Sequence, residues 1–481
     1  MTTLQFRPAL LSVAAAALLA LAGCGDKGSS TSTAASGAAS GAAAGTAAAP
    51  AATGGGGKSV TVEASADKQF FPLLSYRTGP YAPNGIPWAD GKQDYLKLVN
   101  ERDGGINGVK IAFEECETGY ATDRGVECYE RLKTKPGVAM FDPQSTGITF
   151  ALTEKAPVDK IPLQTFGYGL SVSQDGTHFK WNFPNMGSYW TGADVLIQHL
   201  GQKEGGLDKL KGKKIALVYH DSPFGKEPIP LLQKRAEMHG FELQMLPVTA
   251  PGVEQKATWL QVRQSKPDYV LLWGWGVMNS TALKEAQATG FPRDKMYGVW
   301  WAGAEPDVKD VGQGAAGYNA LALNGSGQQF PVIQDILKHV YDKNNGTASS
   351  RDEVGTVLYN RGVAIQMLSV EAVKAAQEKF GKGKVMTAEQ VRWGMENLNL
   401  DKAKLEALGF GDMIHPIATT CQDHMGSTAA RVQTWDGSKW NIQTDWIQGD
   451  AAVLDPLIKA GAAKYASEKG IQARTAEDCN A

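Results

Sequence analysis

The chain is expected to fold as an α/β protein, with open parallel sheets covered by helices on both faces. Three observations carry that expectation. Short apolar runs of strand length alternate with stretches of helical spacing through most of the chain. Such a β-α-β-α order is what parallel sheets require, because each crossover brings a helix. The order occurs twice, before and after about Pro184, in a body from about Lys58 to Ala481 that is too long for one small core.

In the first unit, Phe71 to Tyr76 ends a strand and Thr78 to Pro87 reads as a Gly/Pro loop. Asp90 to Glu101 is a helix with Tyr95, Leu98 and Val99 inward. Val109 to Glu115 is a strand, Asp123 to Lys133 a helix and Val138 to Asp142 a strand. Ser145 starts a helix through Lys155, and Ile161 to Thr165 is the next strand. In the second unit Lys214 to Tyr219 (KIALVY) is a buried strand, and Pro228 to His239 is a helix stopped by Gly240. Phe241 to Val248 is a strand, Lys256 to Gln264 a helix and Tyr269 to Trp273 a strand. Ala282 to Thr289 is a helix capped by Asn279 or Ser280 and closed by Gly290, and Met296 to Trp301 is a strand.

The chain then changes character. Val332 to Lys343 and Glu353 to Phe380 read as long helices. Arg431 to Trp446 is a β-hairpin with Asp436-Gly437 as its turn signal, and Ala451 to Lys469 is a terminal helix. Helices and strands that return after two complete units imply shared segments. Residues 58–184 with 326–410 are expected to form one lobe, and 185–325 with 411–450 the other. Residues 451–481 form a C-terminal helix and tail.

Charges balance to a net −2 with no basic stripe, so nucleic acid is not an expected partner. After Leu21 no run is long and apolar enough to cross a membrane. At the N-terminus, an apolar run from Ala9 to Leu21 follows a short region carrying Arg7. It is too short to span a bilayer comfortably and is placed like the core of a signal peptide. Leu21-Ala22-Gly23-Cys24 resembles the lipobox of bacterial lipoproteins. That resemblance implies a signal peptide over residues 1–23, a lipidated Cys24 and attachment to the cell envelope. From Gly28 to Gly57 the chain is only Gly, Ala, Ser and Thr, with one Pro50. Such a segment cannot bury enough apolar surface to fold. Residues 24–57 are read as a tether with a reach of roughly 30 Å.

Besides Cys24 there are Cys116, Cys128, Cys421 and Cys479. An even set in an exported chain points to two disulfides, for which sequence allows three pairings. Neighbours in the chain are favoured: Cys116 with Cys128, and Cys421 with Cys479. No metal-ligand spacing of Cys or His occurs, so neither metal nor cofactor is expected.

Ligands of open parallel sheets sit beyond the carboxyl ends of the strands. The loops there are Tyr76 to Trp88, Asp142 to Thr146, Phe166 to Leu170, His220 to Lys226, Gly274 to Met278 and Trp300 to Glu305. In Asp142-Pro143-Gln144-Ser145-Thr146-Gly147, Ser145 and Thr146 can cap a helix whose free N–H groups hold a carboxylate. Aromatic residues recur on these loops: Tyr81, Trp88, Phe166, Tyr168, Phe224, Trp273, Trp275, Trp300 and Trp301. Several rings converging on one edge describe an aromatic-lined pocket. Catalytic signals are poor. The body has no Gly-x-Ser-x-Gly elbow and no phosphate loop. His220 beside Asp221 and Ser222 is the one dyad-like group, and it reads as a polar loop cluster.

These residues resemble the leucine/isoleucine/valine-binding type of periplasmic solute receptor of ABC importers. The densest match is Thr78-Gly79-Pro80 with Gly85, then Leu98-Val99-Asn100-Glu101, then Gly104-Gly105-Ile106-Asn107-Gly108-Val109-Lys110-Ile111. Asp221-Ser222-Pro223-Phe224-Gly225 resembles the family's aromatic-Gly loop. The resemblance implies the type I periplasmic-binding-protein fold: two Rossmann-like lobes, three hinge crossovers and a ligand trapped between them. It implies carboxylate contacts from Ser145 and Thr146 and from the loop Thr165 to Tyr168, including Phe166 and Gly167, with ring contacts near Phe224 and Trp275. The family's amino-acid binders hold the ammonium with an acid after the strand that here ends in Trp300-Trp301; the nearest acid in this chain is Glu305. The rings favour an aromatic or apolar carboxylate over a branched-chain amino acid.

The chain therefore reads as a monomeric, non-enzymatic solute receptor that delivers a small carboxylate to an ABC permease. Two other readings exist: a sensory receptor on the same fold, and an exported hydrolase using His220 and Asp221. For the anchor, Cys24→Ser is expected to abolish lipidation and release the exported protein into the soluble fraction. Detergent-sensitive membrane attachment of that variant would contradict the lipobox reading.

Overall fold

The computed structural model describes residues 60–480. The signal segment, Cys24 and the whole tether lie outside the described residues. Strand β1 (Gln69–Ser75), buried along its whole length, pairs in parallel with β2 (Ile111–Glu117). The segment 138–142 lies on the other side of β1, bridging it at Val138–Phe70 and Asp142–Leu73. It also bridges β3 (Leu163–Phe166) at Phe141, and β3 pairs in parallel with β4 (Asn182–Asn185). The expected strand from Val138 to Asp142 is thus an extended segment held by isolated bridges.

The second sheet draws on β5 (Lys214–His220), β6 (Glu242–Val248), β7 (Tyr269–Trp273), β8 (Met296–Gly298) and β9 (Asn319–Ala322). Strands β10 (Asn399–Leu400) and β11 (Ile417–Ala418) form a small ladder of their own. The hairpin β12 (Arg431–Trp435) and β13 (Trp440–Ile442) returns to the second sheet. The order is β13-β12-β9-β8-β7-β5-β6, parallel from β6 to β9 and antiparallel at β12 and β13. Strands β5 and β7 are apolar and almost wholly buried, as a strand covered on both faces must be.

The chain leaves the first sheet after β4, enters the second, and returns after β9 to supply the helix Val357–Phe380. That helix lies along α1 (Ala82–Arg102). The two meet backbone to backbone. A side chain at Gly91 would overlap the Tyr359 carbonyl, and one at Gly362 would overlap the Trp88 carbonyl. The chain then crosses once more to β12.

Three expectations need correction. The stretch Thr78 to Pro87 is not all loop, because α1 starts at Ala82 and runs through Pro87. Pro83 lies in the first turn, where a missing N–H costs nothing. Pro87 forfeits one hydrogen bond at about 3 kcal/mol. Burying Trp88, Tyr95 and Leu96, at about 2 kcal/mol each, outweighs that. Neither Asn279 nor Ser280 caps a helix, since the helix Val277–Ala288 begins earlier. The strand from Met296 stops at Gly298, and Trp300–Ala302 forms a 3₁₀ turn. Both indoles of that turn donate to the Gly167 carbonyl, Trp300 at 2.7 Å and Trp301 at 3.0 Å, which draws the chain off the ladder.

Both expected disulfides are formed. Cys116 on β2 joins Cys128 on α2 (Thr122–Leu132), and Cys421 joins Cys479, with Cα separations of 5.8 Å and 5.5 Å. Removing the first bridge as the Cys116→Ala/Cys128→Ala pair is expected to cost about 3 kcal/mol in denaturant unfolding, the loop-closure value for its 12-residue separation. Unchanged stability in that double variant would show that the crosslink restrains little of the unfolded chain.

Candidate functional site

A narrow cavity opens where the strand ends converge. From the first sheet's side it is lined by Tyr76 after β1, Tyr120 after β2, Gln144, Ser145 and Thr146 after segment 138–142, and Tyr168 after β3. Trp88 reaches it from α1. From the second sheet's side come Phe224 after β5, Trp275 after β7 and Trp301 after β8, while Tyr189 heads the helix that follows β4. Carboxyl ends of strands thus supply nearly the whole lining, as open α/β sheets do.

Ser145 is the N-cap of helix α3 (Thr146–Thr153), and its hydroxyl accepts from the Ile148 N–H. The loop before it is braced. Lys92 Nζ stands 2.7 Å from Asp142, and both are buried. The Tyr168 hydroxyl donates to the other Asp142 oxygen, and the Gln144 N–H donates to that hydroxyl at 2.7 Å. Gln144 is held at φ +57°, a conformation costly for a residue with a side chain. Thr146 Oγ1 accepts from the Gly169 N–H at 3.3 Å and pairs with the Tyr189 hydroxyl at 3.2 Å. Burial pushes the hydroxyls of Tyr76, Tyr168 and Tyr189 well above the usual phenol range.

The rings pack edge to face. Tyr76 meets Trp88 at 6.5 Å and Trp275 at 6.2 Å, and Trp275 meets Trp301 at 5.2 Å, each near perpendicular. Tyr76 Oη and Trp275 Nε1 lie near each other, yet neither has a partner of hydrogen-bond geometry. The Trp88 Nε1 and both atoms of the Gln144 amide are likewise buried without a partner. None of the eleven lining residues carries a charge. The nearest guanidinium, Arg361, lies 4.5 Å from the Trp301 ring centre and does not line the cavity. It donates to the Trp300 carbonyl at 2.9 Å, and burial lowers its pKa to about 9.

Of the residues expected from sequence, Trp88, Ser145, Thr146, Tyr168, Phe224, Trp275 and Trp301 line the cavity. Phe166, Gly167 and Trp300 do not. Phe166 and Trp300 are core side chains, and the Gly167 carbonyl anchors the two indoles from behind. Glu305 is also set back. Its carboxylate accepts from the Val357 N–H at 3.1 Å, and burial pushes its pKa up to about 7. Tyr76 and Gln144 lie on loops expected to face the ligand but were not singled out as contacts, and Tyr120 and Tyr189 were not expected at all. Each follows a strand end, and Tyr120 and Tyr189 follow β2 and β4, whose loops carried no motif.

His220 does not join Asp221. Its Nε2 pairs with Tyr81 Oη at 2.9 Å and its Nδ1 with Ser222 Oγ at 2.8 Å, while Asp221 pairs with Lys226 at 2.7 Å. Burial lowers the His220 pKa to about 4, so the ring is neutral at neutral pH. Among the described residues no cluster of three metal-ligating side chains occurs, and no helix is long and apolar enough to cross a membrane.

Residues 68–439 match the periplasmic binding protein family, and the chain belongs to that family. A crystal structure from the Pseudomonas fluorescens group, described as an ABC transporter permease, is 43% identical with a TM-score of 0.81. That match covers 86% of this chain and all of the other. A branched-chain amino acid ABC transporter from Thermus thermophilus with bound valine is 21% identical with a TM-score of 0.67, over 81% of this chain and 99% of that one. A solute-binding protein from R. palustris in complex with benzoate is 16% identical with a TM-score of 0.61, over 80% and 98%. These two share the fold, which is the type I periplasmic-binding-protein fold expected from the sequence. Among curated proteins none matches this chain.

The brace behind the Ser145 loop gives a direct test. Lys92→Met leaves the Asp142 carboxylate buried beside an apolar chain and is expected to cost about 3–5 kcal/mol in chemical unfolding. Adding Asp142→Asn should recover part of that loss. No recovery would mean that Lys92 acts through packing alone.

Proposed function

We propose that this chain is the extracytoplasmic solute-binding component of an ABC importer, tethered by a lipid on Cys24, and that it captures an aromatic or apolar carboxylate. Membership of the periplasmic binding proteins supports the transport role. The observation that carries the ligand class is a cavity walled by aromatic rings with no charged side chain in its lining. An amino acid's ammonium would be buried there without a carboxylate partner, at a cost of about 2–5 kcal/mol. The guanidinium of Arg361 beside Trp301 makes that wall still less favourable to a cation. A carboxylate has a natural seat at the N-terminus of α3, where uncapped N–H groups and the helix dipole favour negative charge. Two fold relatives were solved with such acids, benzoate in one and 3,4-dihydroxybenzoic acid in another.

In this reading the lobes are 58–184 with 326–410, and 185–325 with 411–450. Polar bonds then cross between them: Asn84 Nδ2 to Asp307 at 3.1 Å, Tyr81 to His220, and Ser171 to Glu227 at 3.0 Å. A ligand touching both sides adds to these bonds only when the lobes are closed, so binding shifts the population toward closure. A closed, loaded receptor is what a permease partner would recognise.

Calorimetry with the mature protein decides the ligand class. Benzoate- or cinnamate-like acids are expected to bind more tightly than leucine or valine. Micromolar leucine binding with no heat from the aromatic acids would overturn the proposal and return Glu305 to consideration as an ammonium partner.

A further inference from the structure

The cavity holds polar groups that a bare aromatic acid leaves unanswered. Tyr76, Trp88, Gln144 and Trp275 are each at most 3% exposed, and each has a side-chain N or O atom without a partner. Four of the other lining hydroxyls, on Ser145, Thr146, Tyr168 and Tyr189, are already bonded within the protein, and that of Tyr120 is not among the unpartnered groups. Buried polar groups are almost always partnered, so a cluster of four lining groups with no partner in the protein points to polar contacts made by a ligand. Tyr76 neighbours both indoles, with its ring edge-on to each.

The chemistry of these groups narrows what fits. An indole N–H donates and cannot accept, so its partner must carry lone pairs. A methyl or an ammonium group offers none. In the Gln144 amide the oxygen and the nitrogen are both unpartnered, which calls for a group that donates as well as accepts. A carboxylate only accepts, and it has its own seat at the start of α3. A hydroxyl does both.

We infer that the ligand is an aromatic acid bearing a ring hydroxyl, whose oxygen accepts from Trp88 Nε1 and Trp275 Nε1 and whose proton goes to Tyr76 or Gln144. This rests on the aromatic-carboxylate reading above and adds the second polar end of the molecule. A site built to bond a hydroxyl discriminates sharply against the analogue that lacks it, because its own buried groups are then left unpaired.

The test is calorimetry with benzoate and with 4-hydroxybenzoate and 3,4-dihydroxybenzoate, on the wild type and on Trp88→Phe, Trp275→Phe and Tyr76→Phe. Each substitution keeps a ring and removes the polar atom. At least one hydroxylated acid is expected to bind wild type about tenfold or more tighter than benzoate. Each tryptophan variant is expected to lose about tenfold more affinity for that acid than for benzoate. Benzoate binding as tightly as both hydroxylated acids overturns the inference and leaves the aromatic-acid reading intact. So does an equal loss for both kinds of acid in the variants, which makes the indoles packing surfaces. If no aromatic acid binds and leucine does, both readings fall. Tyr76→Phe is the smallest change, and with the wild-type ratio it keeps the test decisive should a tryptophan variant fail to fold.

Discussion

The carbonyl of Gly167 is the contact on which the site's architecture depends. It receives both indole N–H groups of the Trp300–Trp301 turn, and so ties the end of β3 in the first sheet to the end of β8 in the second. The residue must be glycine. Its φ is +72°, and any side chain there would overlap Leu323 and the Trp300 ring. With the two indoles fixed on one acceptor, Trp301 faces the cavity while Trp300 packs against Tyr189 at 6.3 Å. Arg361 completes the arrangement by holding the Trp300 carbonyl. One backbone oxygen thereby decides which tryptophan is wall and which is core.

Around that contact the protein spends its charged groups on scaffolding and keeps them away from the cavity. Lys92 and Asp142 hold the loop before α3, Arg361 braces the tryptophan turn, and Glu305 receives a backbone N–H. Glu227, half-buried, receives the Ser171 N–H and hydroxyl, and desolvation pushes its pKa up to about 7. None of these charged side chains lines the cavity. What remains to meet a solute is neutral: rings, hydroxyls, an amide and the start of a helix.

Much of the fold was legible because its central strands are buried on both faces. Runs such as Lys214–Tyr219 and Tyr269–Trp273 are continuous in apolar residues, and Gly240 marks the end of the helix before it. The failures have physical causes. Proline and glycine near Pro83 and Pro87 look like loop, yet helix burial outweighs their local cost. Trp300 reads as strand because nothing in its neighbourhood reveals an acceptor 133 positions away at Gly167. Seven cavity residues were legible as aromatic or hydroxyl residues on strand-end loops. Tyr120 and Tyr189 were not, since a lone tyrosine after a short strand carries no local signal. Glu305 was placed by elimination among acids near one loop, and sequence cannot say that its carboxylate turns toward Val357.

The backbone contact between α1 and the helix Val357–Phe380 has a mechanical meaning. With Gly91 against Tyr359 and Gly362 against Trp88, no side chains lie between the helices at those points to act as a compliant layer. Trp88 is therefore carried on a stiff plate, and that plate also bears Arg361, which clasps the Trp300–Trp301 turn. A solute entering such a cavity meets rings already set at their working angles, and little of its binding free energy is lost to ordering the wall that receives it.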